Sequence, residues 1–483
     1  MSTDLALQVP ADVTRVIDTL IGADHEAFVV GGCVRDALRG VDPQDWDVAT
    51  NAKPDQIQSL FRRSLYTNRF GTVVVHSGTH EREVTTYRVE ADYADHRRPE
   101  TVSFTASLHE DLARRDFTMN AMAWRPTSAG SARSAGSAGS EGPAAAAGAE
   151  RSGGTSASGG SVGGELVDPF GGRSDLDRHI VRAVGIPGER FAEDALRMLR
   201  AVRFATTLRM DIEPATAAAI GEHAALAAGL SGERIQQELN KILAAERPSV
   251  GLRLLDDLGL LAVICPELEV CKTIPQDKAV AQDVFEHSLI TVDATPVDEH
   301  LVLRLAGLFH DVGKPDTFAD GHFHQHEFVG EAIARRILRR WKYPKDTIAK
   351  VSHLIRHHMF WYQTEWSGSA VRRFVRKVGL ENIPDLFELR RADNIGSGAR
   401  SPRMYALEDL WDRVQDEIHR SAAFSPRDLA IDGTDVMAEL GIPPGPAVGR
   451  IIGALFERVL DDPDLNTRES LLPLAREIGG STG

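Results

Sequence analysis

The chain has 483 residues, 42% of them hydrophobic, and 70 acidic against 55 basic side chains give a formal net charge of −15. That length exceeds one ordinary core and implies two to four globular units, and so acidic a chain does not coat nucleic acid with uniform positive charge, although local basic clusters remain open to RNA. No run approaches the roughly 18 apolar residues of a spanning helix, Met1 to Pro10 lack the basic start and apolar stretch of a signal peptide, and Cys33, Cys265 and Cys271 form no CxxC pair, so a cytoplasmic protein with no membrane partner, no disulfide framework and no zinc knuckle is expected.

In chain order, Val13, Val16, Ile17 and Leu20 recur at helical spacing, and Phe28 to Val30 form a short apolar run ending at Gly31-Gly32, which reads as helix, strand and glycine turn. A helix from about Val34 leads to a strand holding Asp45-Trp46-Asp47-Val48, and further strands are predicted over Thr72 to His76 and Glu83 to Arg88. The result is a compact α/β unit. From Thr127 to Gly164 the composition falls to Gly, Ser and Ala with a few charges and Val162, too little to offset the entropy of ordering. A disordered insertion at a hairpin tip within the first domain is predicted. Beyond about Gly188 the pattern is helical: Phe191 to Ala205, Ile235 to Ala244, Phe285 to Val292, Leu301 to His310 and Glu331 to Trp341, with Gly441 to Pro446 breaking the last region into short helices. Basic residues cluster at Arg197, Arg200 and Arg203, at Arg335, Arg336, Arg339, Arg340, Lys342 and Lys345, and at Arg372, Arg373, Arg376 and Lys377, which solvated helix faces or an RNA backbone would both explain.

Asp45 and Asp47, two apart in a predicted strand, leave the same face and can hold a divalent cation between them. Hard oxygen ligands suit Mg²⁺, and metal-assisted phosphoryl transfer needs such a pair. The glycine turn Gly31-Gly32 lets backbone N–H groups approach a triphosphate, Arg35 one turn on can pair with phosphate, and Glu83 at the start of its strand is either a third metal carboxylate or an exposed strand-end charge.

Here the residues reach a family. Val30 to Gly40, followed by Asp45 to Thr50, resembles the first motif of the class II tRNA CCA-adding enzymes and bacterial poly(A) polymerases. Arg114-Arg115-Asp116-Phe117-Thr118-Met119-Asn120-Ala121 resembles the second, Asp168 to Gly172 with Asp175-Leu176 the third, Glu193-Asp194 with Arg197, Arg200 and Arg203 the fourth, and Ser231 to Ile235 with Glu238-Leu239 the fifth. The resemblance implies a polymerase-beta-like α/β nucleotidyltransferase head over 1–186, carrying the 127–164 insertion. An all-α neck over 187–264 that reads the base and binds RNA, an HD-type helical domain over 265–400 and an RNA-binding helical tail over 401–483 would follow. It implies Asp45, Asp47 and Glu83 as catalytic carboxylates on Mg²⁺, with Gly31, Gly32, Arg35, Arg114, Arg115, Asp116, Asn120, Asp194, Arg197, Arg200 and Arg203 holding the nucleotide. The activity implied is addition of CMP and AMP from CTP and ATP to the 3′ end of tRNA, with neither DNA nor membrane as partner.

CTP and ATP both present an amino donor beside a ring-nitrogen acceptor, a pattern that a carboxylate beside a guanidinium complements and that UTP and GTP lack. Asp194 and Arg197, at i and i+3 of a predicted helix, share a face, and by resemblance they read the Watson–Crick edge. Arg200 and Arg203, with an arginine of the Arg114-Arg115 pair, would meet phosphate or the base stack, and Arg115 and Asp116 the ribose. Tyr93 to Pro99 matches the family's mobile loop, implied in the switch from C to A addition, and Phe70-Gly71-Thr72-Val73 resembles the CCA-adding branch more than the poly(A) branch.

A second set, His287, His310-Asp311, a histidine of His324-Gln325-His326, a histidine of His357-His358, and Asp393, resembles the HD phosphohydrolase superfamily. His287, His310, Asp311, His326, His357 and Asp393 are the ligands it implies, for Mn²⁺, Ni²⁺ or Co²⁺, with phosphomonoesters or 2′,3′-cyclic phosphates as substrates. The rival readings are a poly(A) polymerase, which would not incorporate CTP, and an HD phosphohydrolase whose head merely binds RNA.

Overall fold

The computed structural model describes residues 2–67, 71–91, 101–127, 161–275, 280–281, 283–296, 301–360, 362, 365–398, 402–420 and 423–480. The chain folds as two compact units, one of residues 1–230 with 258–260, the other of 231–257 with 261–483. The neck expected over 187–264 is thus divided between them. No helix among the described residues is long and apolar enough to cross a membrane.

The first unit is built on an eight-stranded mixed sheet. Its strands are β1 (Ser2–Gln8), β2 (Ala27–Val30), β3 (Val48–Thr50), β4 (Ser64–Tyr66), β5 (Thr72–Ser77), β6 (His80–Thr86), β9 (Ala123–Pro126) and β10 (Ser161–Val167), with β7 (Arg88–Ala91) and β8 (Thr101–Phe104) pairing separately. The order is β1-β10-β9-β2-β3-β6-β5-β4. The all-apolar β2, buried along its whole length, sits centrally between β9 and β3, as a strand covered on both faces must. The helix Ala11–Ile21 presents Val13, Val16, Ile17 and Leu20 to the core, all fully buried, a one-sided apolar stripe at helical period.

Part of the stretch predicted as a disordered insertion over 127–164 is ordered strand. Ser161–Gly164 belong to β10 and pair antiparallel with Leu5–Gln8, because strand hydrogen bonds use backbone groups that every residue carries, whatever its side chain. Gly164 also packs against Trp124, whose indole a Cβ there would meet at 2.2 Å. Residues 128–160 lie outside the described residues.

The second unit is mostly helical rather than all-α, with one short antiparallel hairpin of Phe318–Ala319 and His322–Phe323. Val284–Asp293, Leu301–Phe309, His326–Arg340, Lys345–His357 and Ile383–Gly396 form the bundle that carries the histidine set, and the C-terminal helices Gly433–Leu440, Pro446–Asp461 and Arg468–Gly480 close around their own core of Val436, Leu455, Phe456 and Leu471. The punctuation at 441–446 works as its residues suggest: Gly441, in the left-handed region, ends one helix and Pro446 opens the next.

Candidate active site and candidate metal centre

At the end of β2, the Val30 N–H donates to the Asp47 carbonyl at 3.0 Å and the Gly31 N–H to that of Met122 at 3.1 Å, so two neighbouring strands fix the glycine turn. Gly31 has a φ of +78°, and a Cβ on it would stand 2.6 Å from the Arg115 guanidinium. Both the backbone conformation and the close approach require glycine. Helix Gly32–Leu38 follows, starting two residues earlier than the sequence suggested.

Asp45 and Asp47 lie in the segment leading into β3, which begins only at Val48, rather than within the predicted strand. Their alternation survives: both carboxylates are exposed while Trp46 between them is buried. The parallel register Val48↔Val84 sets Asp47 alongside Glu83, itself exposed. Crowding by protein pushes the Asp47 carboxyl above the ordinary range, Glu83 and Asp45 push the same way, and Arg115 opposes them. Asp45 and Glu83, near enough for their charges to act on Asp47, make with it a set of oxygen donors with the chemistry of a hard-cation site. Cys33 nearby is buried, and desolvation together with the Asp47 charge drives its thiol up to about 12, so it is an inert core residue.

Asp116 joins the second and fourth motifs. Its carboxylate accepts Arg200 Nε at 2.7 Å, Asn120 Nδ2 at 3.1 Å and the Phe117 N–H at 2.8 Å. Burial alone would raise this carboxyl, but Arg200 and the Asn120 hydrogen bond outweigh it and hold it below the ordinary range. Asn120 Oδ1 in turn accepts Arg35 Nη1 at 2.8 Å, while Arg35 also pairs with Asp36. Arg35, Arg200 and Arg203 then converge on one ring, Phe204, with guanidinium carbons 5.2, 5.4 and 3.8 Å from its centroid. Arg114 and Arg115 share the buried Asp111, at 2.8 and 3.4 Å. Phe204 and Asp111 are residues the motif reading missed. Phe204 had a signal, since it lies at i+4 from Arg200 and on the same helix face.

The predicted base-reading pair needs correction in its setting. Asp194 and Arg197 do not share one helix: Pro187–Glu193 ends before Asp194, whose backbone is extended, and Leu196–Leu208 starts anew. The Asp194 carboxylate instead accepts the Leu196 N–H at 3.0 Å, the local competition with helix continuation that a short acidic side chain offers. Arg197 is buried, pairs with Glu193, and donates to the carbonyls of Arg190 and Arg114, each at 3.1 Å. The loop Tyr93 to Pro99 and residue Phe70 lie outside the described residues.

In the second unit, two sets of side chains abut with their donor atoms close enough to hold a metal ion each: His287, His310 and Asp393, and Asp311, His326 and His358. All six are buried. Asp311 links the sets, 3.2 Å from His310 Nε2 and 3.3 Å from His326 Nε2, and His287 Nε2 lies 3.1 Å from Asp393. His310, His326 and His358 each bring Nδ1 within 2.7–3.2 Å of a backbone carbonyl, those of Gly307, Phe323 and Ile355. A carbonyl can only accept, so the proton sits on Nδ1 and the Nε2 lone pair is turned into the cluster, the arrangement typical of metal-ligating histidine. Burial pulls His310 down to about 4 against the opposing pull of Asp311, so its imidazole is neutral at physiological pH. Burial would raise Asp311 and Asp393, but for Asp311 His310 and Lys314, and for Asp393 the His287 hydrogen bond, His310 and Arg390, hold them well below the ordinary range.

His357, the ligand predicted from sequence, is not in this cluster; His358 is. His357 ends the helix Lys345–His357 and stacks on His353, ring centroids 4.5 Å apart. One residue along a helix turns the side chain by about 100°, so adjacent histidines face different ways. A cavity of about 290 Å³ opens onto the cluster, lined among others by Lys314, His322, Phe323, Met359 and Arg390.

An α/β head that presents a glycine turn, two aspartates flanking a buried tryptophan, an adjacent glutamate and a set of converging arginines, carried with a helical body, defines a nucleotidyltransferase. Residues 27–131 match the poly A polymerase head domain, 209–272 the probable RNA and SrmB-binding site of polymerase A, and 326–475 a putative domain 2 of tRNA nucleotidyltransferase. The chain is 30% identical to a CCA-adding enzyme of Lactiplantibacillus plantarum over 98% of both chains, and 32% identical to one of Latilactobacillus sakei over 96% of this chain and 98% of that one. The structure of the Bacillus stearothermophilus CCA-adding enzyme in complex with CTP superposes with a TM-score of 0.68 at 27% identity, covering 98% of each. The Thermotoga maritima CCA-adding enzyme complexed with tRNA shares the fold, at a TM-score of 0.56 and 17% identity over the full length of both. The chain belongs to the CCA-adding enzyme family, which implies use of a divalent metal.

Proposed function

We propose that this chain, acting in the cytoplasm, adds CMP and AMP from CTP and ATP to the 3′ end of tRNA by metal-assisted nucleotidyl transfer. The observation that carries the reading is that the exposed Asp45 and Asp47 lead into β3 beside Glu83 of β6, near enough for both neighbours to act electrostatically on Asp47, in a chain of this family. In the reaction the terminal ribose hydroxyl attacks the α-phosphorus, a new P–O bond forms as the bond to the β-phosphate oxygen breaks, and pyrophosphate leaves. Asp45 and Asp47, with Glu83 beside them, would hold Mg²⁺, which lowers the pKa of the attacking hydroxyl and neutralises charge on the leaving pyrophosphate. The hydroxyl proton passes to solvent, to which all three carboxylates are open.

The protein's own contribution is positioning. Gly31 lets the backbone approach the triphosphate, and Arg35, Arg200 and Arg203, stacked on Phe204, meet phosphate or base. Arg114 and Arg115, held by Asp111, and Asn120 would hold the nucleotide beside them, and Asp116, ionised and braced by Arg200, would face the ribose. Asp194 with Arg197 reads the amino-donor and ring-acceptor pattern of C and A, for which Arg197 exchanges one of its present carbonyl partners for the base. The test uses labelled CTP and ATP, separately and together, with tRNA ending at the discriminator base, at CC and at CCA. Transfer of ATP but not CTP would make the chain a poly(A) polymerase, and transfer that survives Asp45→Ala with Asp47→Ala would overturn the proposed site.

The histidine tautomers favour a second activity, hydrolysis of phosphomonoesters or 2′,3′-cyclic phosphates in the second unit. His287, His310, Asp311, His326, His358 and Asp393 would hold Mn²⁺, Ni²⁺ or Co²⁺, whose role is to supply an activated water. Lys314 and Arg390, lining the cavity, offer cations to a substrate phosphate. If Asp311→Ala leaves such activity unchanged with each of these metals, this reading fails.

A further inference from the structure

The basic side chains of the second unit divide into two kinds. Arg372 is buried, pairs with Glu417 and donates to the Leu460 carbonyl at 2.8 Å; Arg373 meets Asp461 at 2.8 Å, and Arg376 pairs with Glu457. Three members of the cluster that was open to RNA on sequence grounds are consumed in joining helices, and only its fourth, Lys377, stays exposed without a carboxylate partner among the described residues. Arg336, Arg339, Lys342 and Lys345 differ. All four are exposed, and no carboxylate among the described residues pairs with any of them.

Arg339, Lys342 and Lys345 line an open groove of about 470 Å³ where helix His326–Arg340 turns into helix Lys345–His357, with Tyr343 and Ile348 in its wall. Lys342 holds a φ of +60°, a position after a helix end where glycine or asparagine is the usual choice. Tyr343 is buried, and its hydroxyl donates to Asn240 Oδ1 at 2.5 Å. Gly232 packs so closely on this turn that a Cβ would stand 2.1 Å from the Arg340 carbonyl. Both contacts tie the groove to helix Gly232–Leu243, which lies inside the stretch matching the RNA-binding model.

Three unpaired cations lining one groove in a chain of net charge −15 repel one another and gain most from a polyanion. We propose that this groove takes the sugar-phosphate backbone of the tRNA, resting on the tRNA-extending reading above. The chemistry is phosphate recognition by Lys and Arg, which fixes the position of the RNA without reading its sequence.

The test is affinity of the full chain for tRNA ending in CCA, without nucleotide or metal, by fluorescence anisotropy across a KCl series. Arg339→Gln with Lys342→Gln and Lys345→Gln removes three cations, and the slope of log K against log salt should fall by about 2 to 3, with Kd rising at least ~10-fold near 0.1 M salt. In turnover, the KM for tRNA should rise while kcat and the KM for CTP hold. Arg373→Gln with Arg376→Gln, whose charges are already paired, should leave the slope unchanged. The proposal is overturned if the triple variant keeps the wild-type slope and Kd, as it would were the groove a docking face for another protein. It is equally overturned if both variants lower the slope alike. Because binding is read without chemistry, a wild-type chain that binds tRNA through this groove yet transfers no CMP would sink the transferase reading alone.

Discussion

Phe204 is the residue on which three elements of the head depend, and replacing it with leucine tests that dependence. The substitution keeps an apolar side chain of similar size at a site 5% exposed, so repacking alone costs less than about 1.5 kcal/mol. Lost with the ring are the edge contact to Phe117, at 5.6 Å between centroids, worth about 0.5–1.5 kcal/mol, and the stack with Arg203 at 3.8 Å, worth about 0.5–2 kcal/mol. Arg35 and Arg200, at 5.2 and 5.4 Å, add smaller amounts. Together these predict a loss of about 2–4 kcal/mol in the local stability of helix Leu196–Leu208, read by hydrogen exchange of its peptide. The KM for CTP should rise about 3- to 10-fold as the arginines lose their platform. A double-mutant cycle isolates the stack: Phe204→Leu and Arg203→Met should couple by about 1 kcal/mol. A coupling below about 0.3 kcal/mol would show that the ring serves only as core, and the positioning argument would fall.

Asp116→Asn should remove a pH dependence. The Asp116 carboxyl is held below its unfolded value, so its stabilisation is present above pH ~4 and lost as pH falls through the folded value; the variant should be less stable at pH 7 and lose less on acidification, measured as Tm across pH 7 to 3. Arg304 is buried and donates to the carbonyls of Leu243, Ala245 and Pro296. Arg304→Met leaves those helix-end carbonyls without their donor and should destabilise the second unit by about 2–4 kcal/mol, seen in urea unfolding followed by circular dichroism. His358→Ala should lower the Mn²⁺ bound per chain in calorimetric titration while His357→Ala leaves it unchanged; equal loss in both would refute the assignment of His358.

Much of this protein was decided locally and could be read without coordinates. The glycine turn, the aspartates flanking Trp46, and the order of the motifs depend on backbone permissiveness and a two-residue period, which act between near neighbours. The predominantly helical nature of the described residues after about 188, apart from two-residue strands at 211–212, 318–319 and 322–323, follows from apolar periodicity in the same way. The metal set could be narrowed to adjacent histidines but not resolved, since His357 and His358 differ only in their angle around one helix, and the bundle decides which faces inward. Asp194 was assigned to a helix because its spacing to Arg197 fits one; its side chain capturing the Leu196 N–H breaks that helix, a competition that spacing does not register. The strand formed by Ser161–Gly164 was invisible because its partner, Leu5–Gln8, is over 150 residues away in sequence and the pairing uses backbone alone. The sorting of basic residues into paired and unpaired ones was likewise left to tertiary structure, since Arg376 and Arg339 look alike in sequence, and only the packing of helices brings Glu457 to one and, among the described residues, no carboxylate to the other.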